Sequence, residues 1–235
     1  MKSLRILSGI AGVLVSLLSP QLIACDEWCG HFVAGVDVGY ESRSGHINLN
    51  LANTAGTVTG AKSQKLADSG TIYGLLGGYQ LWYKNWFGGL EGHVDFNRYE
   101  NARRFVTQLT ALGTLNSEAQ HIQHNRYGVT ARLGLNVPPF FMPYIKGGAE
   151  YSKNTINVAV VGVDQFAYNK NHWAWIVGLG VEVPFFSEKT SLRLEYNYKQ
   201  SSRFTWTDSL DTLRGTHTYK PHVHQAKFAW TWNFI

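Results

Sequence analysis

The chain has 235 residues, of which roughly 210 remain as one domain once a secretion signal is set aside. With 14% aromatic residues, 24 glycines, few methionines and prolines and only 16% charged residues, its composition favours strands over helices. The net charge of +5 falls to +3 without Lys2 and Arg5 of the leader, too mild and dispersed for a nucleic-acid footprint, so no nucleic-acid partner is expected.

The first element is that leader. MKSLR is followed by an apolar stretch from Ile6 to Leu18, then Ser19-Pro20-Gln21 and the small residue Ala24, the order of a secretory signal peptide spanning 1–24. No run of eighteen apolar residues follows it, so residence in a membrane has to come from strands. Residues 25–235 are expected to form the single folded domain. It opens on Cys25 and Cys29, the only two cysteines. Leu22-Ile23-Ala24-Cys25 is compatible with lipidation of Cys25. A disulfide between Cys25 and Cys29 is the favoured reading, since it leaves no lone thiol in an oxidising compartment.

Eight segments alternate apolar and polar residues: Phe32–Glu41, Thr71–Leu81, Trp86–Arg98, His124–Val137, Met142–Lys153, His172–Val183, Thr190–Lys199 and Val223–Phe234. Three short connections, Trp82–Asn85, Pro138–Phe141 and Pro184–Lys189, carry turn residues. Four long polar ones, Ser42–Gly70, Tyr99–Gln123, Asn154–Asn171 and Gln200–His222, are expected to be loops. The pattern predicts an all-β fold, an eight-stranded antiparallel up-and-down transmembrane β-barrel with its short turns in the periplasm and its long loops outside.

Two features separate this reading from a soluble barrel that alternates around an apolar core. Aromatics flank every short turn: Trp82, Tyr83, Trp86 and Phe87 at the first, Phe140, Phe141 and Tyr144 at the second, Phe185 and Phe186 at the third, with Trp232 and Phe234 ending the last strand. They are expected to form one interfacial belt, and Tyr40, Tyr73, Tyr99, Tyr127, Tyr151, Trp173 and Tyr198 a second. Ten residues from Trp86 to Phe96, tilted by about 40°, span roughly 25 Å, the height of the apolar band in such barrels.

FVAGVDVGYE, GTIYGLLGGYQL, YIKGGAEY, SLRLEYNYK and the terminal KFAWTWNFI together resemble the bacterial outer-membrane β-barrel superfamily that includes the membrane domain of outer membrane protein A and outer membrane protein X. The resemblance covers nearly the whole chain after the leader. It implies location in the outer membrane of a Gram-negative bacterium, contact with outer-membrane lipid and lipopolysaccharide, and recognition of the last strand by the barrel-assembly machinery. Adhesion to a host or cell-surface ligand through the long loops follows from analogy alone.

The polar face of the strands places Asp37, Glu91, His93, Asp95, Arg132, Lys146, Glu150, Glu182, Arg193, Glu195 and Lys227 inside. An eight-stranded barrel is only wide enough for its own side chains, so these groups are expected to pair as a structural ion network. Arg193, Glu195 and Lys227, on the last two strands, are expected to support one another. Glu91-x-His93-x-Asp95 could mimic an acid–base or metal arrangement, but it has no nucleophile on the neighbouring strands. No catalytic residue, cofactor or metal is therefore expected. His46, His121, His124, His172, His217, His222 and His224 fall in or beside loops and are expected to be solvated, and the loop cations Arg43, Lys62, Lys65, Arg203, Arg214 and Lys220 to face lipopolysaccharide. The expected function is a non-enzymatic barrel that supports envelope integrity and surface interaction, with a narrow channel as first alternative and a lipid-modifying enzyme as second.

Overall fold

The computed structural model describes residues 25–53, 58–96, 99–109, 113–137, 141–160, 164–210 and 213–234. The expected signal peptide at 1–24 and Phe140 of the expected belt lie outside them. The strands are β1 (Cys25–Asn53), β2 (Val58–Lys84), β3 (Trp86–Phe96), β4 (Tyr99–Leu109), β5 (Gly113–Leu135), β6 (Met142–Val160), β7 (Asp164–Phe185), β8 (Ser187–Ser201), β9 (Phe204–Leu210) and β10 (Leu213–Phe234). β1, β2, β3, β5, β6, β7, β8 and β10 form an antiparallel sheet in that order, closed by β1 against β10 from Phe32↔Phe234 onward. This is the closed eight-stranded barrel, and closure leaves no sheet edge in the bilayer.

β4 and β9 continue β3 and β8 past a break. Asp95 faces Arg126 and Tyr99 faces Gln123, so from β3 to β4 the chain advances four positions against three along β5. The same slip occurs where Gln200 faces His222 and Phe204 faces Tyr219. These one-residue bulges change the pairing above the barrel: β4 pairs only β5, and β9 only β10. The β2–β3 ladder stops at Tyr73↔Phe96, and the β7–β8 ladder at Ala174↔Ser201. The long-hairpin end therefore rises as two four-stranded leaves, β9-β10-β1-β2 and β4-β5-β6-β7, with seams between β2 and β4 and between β7 and β9.

The long connections are thus largely strand rather than loop. Apolar alternation marks only the part of a strand that faces lipid, whereas backbone pairing continues through polar residues once the hairpin is nucleated. Outside, the wall presents Leu90, Ile145 and Leu194, each about 60% exposed (59%, 64% and 64%). So continuous an apolar surface is stable only against lipid.

The short-turn end corrects the expected belt. Tyr83 pairs with Trp86 across a two-residue turn in which Lys84 takes the left-handed region (φ 52°). Tyr83, Trp86, Phe141, Phe186, Trp232 and Phe234 face outward, and Phe185 is half-buried. Trp82, Phe87 and Tyr144, at 4%, 1% and 4% exposure, point inward and join Met142 as a floor across the lumen. Tyr83↔Trp86 and Trp82↔Phe87 are successive pairs of the ladder, so they fall on opposite faces of the sheet. The floor is close-packed, for a Cβ on Gly134 would collide with the Phe87 ring and lie 2.7 Å from the Pro143 carbonyl oxygen.

Candidate functional site

Immediately above the floor, four strands contribute a closed ring of charge. Arg132 (β5) forms an ion pair with Glu91 (β3) at 2.9 Å and donates to Glu182 (β7) at 2.9 Å, while Arg193 (β8) reaches the same two carboxylates at 2.7 and 3.0 Å. Ser191 donates to Glu182 at 2.5 Å, and Arg132 to Gln80 at 3.0 Å. The Arg132 guanidinium also lies 4.9 Å from the Tyr144 ring centre and 5.7 Å from that of Phe87, tying ring to floor by cation–π contact.

Mid-lumen, Glu195 accepts from Lys146 and, at 2.6 Å, from the Tyr144 hydroxyl. Above it, Asp95 collects Lys227 at 2.5 Å, Lys199 at 3.4 Å and Arg126 at 3.4 Å. Lys227 also reaches Asp37 at 3.1 Å, Lys199 reaches Glu150 at 2.5 Å, and Arg126 reaches Glu41 at 2.6 Å, where Arg43 joins at 3.1 Å. The carboxylates Asp37, Glu41, Glu91, Asp95, Glu150, Glu182 and Glu195 thus stand against an equal number of cations: Arg43, Arg126, Arg132, Lys146, Arg193, Lys199 and Lys227. Such buried charge is tolerable only when every group is paired and hydrogen-bonded. The cavity among these side chains is about 20 Å³, room for on the order of one water.

All eleven residues expected inside line the lumen, but several partners differ. Lys227 sits beside Glu195 in the ladder, yet Lys227 bonds to Asp37 and Asp95, Glu195 to Lys146, and Arg193 to Glu91 and Glu182. Long side chains in a narrow barrel reach across it to opposite charge. The expected set omits Glu41, Arg43, Arg126 and Lys199, although the same alternation extended from Asp37, Arg132 and Glu195 reaches them. Arg43 is accordingly buried rather than facing lipopolysaccharide, and His172 and His217 are buried rather than solvated; all three sit on inward positions of paired strands.

Glu91, His93 and Asp95 do not act as a unit. Glu91 belongs to the arginine ring, while His93 lies 3.5 Å from Glu150. Donor atoms of His93, Asp95 and Glu150 come within 4.8 Å of one another, a separation a metal could use. Lys199 and Lys227 already hold those carboxylates, and a cation would have to displace them.

Residues 30–234 match the model of the outer membrane protein beta-barrel domain. The chain belongs to this family. It resides in the outer membrane of a Gram-negative bacterium. An uncharacterized protein of Coxiella burnetii is 30% identical over 167 residues, covering 62% of this chain and 61% of the relative, so the match extends over less than two thirds of that protein. Among solved structures, the Escherichia coli outer membrane protease OmpT superposes with a TM-score of 0.52 at 8% identity, over 87% of this chain and 97% of that one. At that identity the likeness concerns the fold alone. Outer membrane protein OprG of Pseudomonas aeruginosa aligns with a TM-score of 0.46 at 14% identity, over 88% and 97% of the two chains.

Proposed function

We propose that the protein is a non-conducting, non-enzymatic barrel that braces the outer membrane and presents its two extracellular leaves for contact with other surfaces. The observation that carries this reading is the charge-balanced lumen above an aromatic floor. The paired charges and a cavity of about 20 Å³ leave little room for an ion among the described lumen residues, and each carboxylate of the network is held by a cation. The rigid wall and its apolar belt suit load-bearing in the envelope, while the paired leaves form the largest part free of lipid.

Purified protein in planar bilayers is expected to show no steady conductance, and a stable open level in wild type overturns the closed-lumen reading. Cells bearing the full protein are expected to attach to polysaccharide-coated or cell-coated surfaces better than cells bearing a form with both leaves trimmed to short turns. Equal attachment at equal folded surface level removes the contact role. At the end with the short turns, β1 bulges between Cys25 and Cys29 against Trp82 and Lys84. A Cys25–Cys29 bridge that closes this bulge fits the chain, and intact mass before and after reduction tests it. Lipid on Cys25 gives the opposite answer.

A further inference from the structure

At the base of the seam between β7 and β9, the outer surface carries a groove of about 600 Å³, within the range of ligand pockets. Its lower wall is Trp173, Trp175 and Ala149, and its upper rim Ser202, Arg203 and Lys220. The groove exists because β8 stops at Ser201, so that β7 loses its partner on that side; the Ser202 amide holds the corner by donating to the Trp173 carbonyl at 3.4 Å. The apolar half lies level with the outer aromatic belt, where Trp173 packs edge-on to Tyr151 and Trp175 against Tyr198. The cationic half lies one step farther from the membrane.

That rim belongs to a wider pattern. His46 sits opposite Lys65 on β2 and Lys220 on β10, and His222 and His224 continue the outward row toward the belt. Among the described residues no carboxylate shares this outward face, whereas every lumen cation has one. Unmatched cations directly above an apolar groove at membrane height suit a molecule with acyl chains below and phosphate above.

We infer that this groove binds a phosphate-bearing glycolipid of the outer leaflet, with Arg203 and Lys220 on a phosphate and Trp173 and Trp175 against an acyl chain. Arginine and lysine bind phosphate oxygens through charge-assisted hydrogen bonds, and tryptophan is suited to the boundary where an apolar chain meets a wet headgroup. The site is independent of whether the lumen conducts.

The test uses the folded full-length protein in zwitterionic micelles, with binding of purified diphosphorylated lipid A followed by native mass spectrometry. One lipid A per barrel is expected, with affinity lowered about tenfold or more in Arg203→Gln/Lys220→Gln and kept in Arg203→Lys. Trp173→Ala is expected to weaken diphosphorylated and dephosphorylated lipid A alike, because it removes acyl contact only. Heat-modifiable gel mobility shows that each variant is folded. Equal retention of lipid A by wild type and the double glutamine variant, equal affinity for the dephosphorylated form, or equal affinity for phosphatidylglycerol each overturns the assignment.

Discussion

The two faces of β1 and β10 treat positive charge in opposite ways. Inward, Arg43 and Lys227 are met by Glu41, Asp37 and Asp95 at 2.5 to 3.1 Å. Outward, Lys220 meets no carboxylate among the described residues, and His46, His222 and His224 share its face. Solvent makes the difference, for an unpaired ion in a dry lumen carries a desolvation cost that the fold has to offset, whereas at the headgroup layer water and lipid phosphates solvate it. A neutralised interior therefore indicates structural closure, and an unneutralised exterior marks where an external anion can add energy. The comparison fails if interior and exterior charges prove equally dispensable.

The largest effect is expected from Glu182→Gln. It leaves Arg132 and Arg193 to share Glu91, stranding a buried guanidinium, and should cost about 3–5 kcal/mol. Urea unfolding in micelles, followed by gel mobility, measures it; a loss below about 1 kcal/mol would show that the lumen holds enough water to replace the partner. Next comes Gly134→Ala. Its new methyl meets the Phe87 ring and the Pro143 carbonyl oxygen, so the floor or the β5–β6 pairing has to shift, at about 1–3 kcal/mol. No measurable loss would mean that the floor is loosely packed and closes the lumen less firmly than the charges above it.

Alternation makes the barrel legible in the sequence, because a sheet between lipid and a polar lumen writes its two environments into odd and even positions. Asp37, Glu91, Arg132, Arg193 and Lys227 follow from parity alone. Which charge meets which does not, since contacts across a lumen depend on strand tilt and side-chain reach rather than on neighbouring register. Trp82, Phe87 and Tyr144 point inward against expectation because they share the parity of the inward Gln80, Glu91 and Glu150 on their own strands, whereas nearness to a turn says nothing about facing. The leaves stay hidden because most of their length is polar, and only short stretches such as Ile47, Leu49 and Leu51 between His46, Asn48 and Asn50 keep the period. The groove arises at one bulge, the single-residue slip between Gln200 and Phe204 against β10, which leaves no compositional trace.

The smaller effects lie outside. Lys65→Gln removes an outward cation with no described carboxylate partner, so folding should change by no more than about 0.5 kcal/mol. A larger loss, measured by the same urea unfolding, would mean that Lys65 has a structural partner and that the exterior is neutralised after all.

The smallest expected signal is the titration of His222, which lies above the membrane-embedded part of β10. Its ring receives the Ser44 hydroxyl at 2.7 Å or donates to it, depending on tautomer, and Gln200 faces it from β8. Partial burial, and then His224, Lys65 and His46 nearby, hold its pKa below the ordinary histidine value. Without an anion, the protonated ring is therefore disfavoured in the folded protein, and this group contributes stability present above its unfolded pKa and lost as pH falls from there through the lower folded value. The group is only partly buried, so the change should be slight. A bound phosphate reverses the sign, because it offsets the neighbouring cations, raises the His222 pKa and couples binding to proton uptake. Lipid A affinity should therefore increase as pH falls through the histidine range, and His222→Gln should flatten that slope while leaving affinity at alkaline pH unchanged. Histidine resonances followed against pH with and without lipid A measure the shift directly. An unmoved His222 titration in a complex shown to be saturated would place the phosphate away from this row and confine the unneutralised site to Arg203 and Lys220.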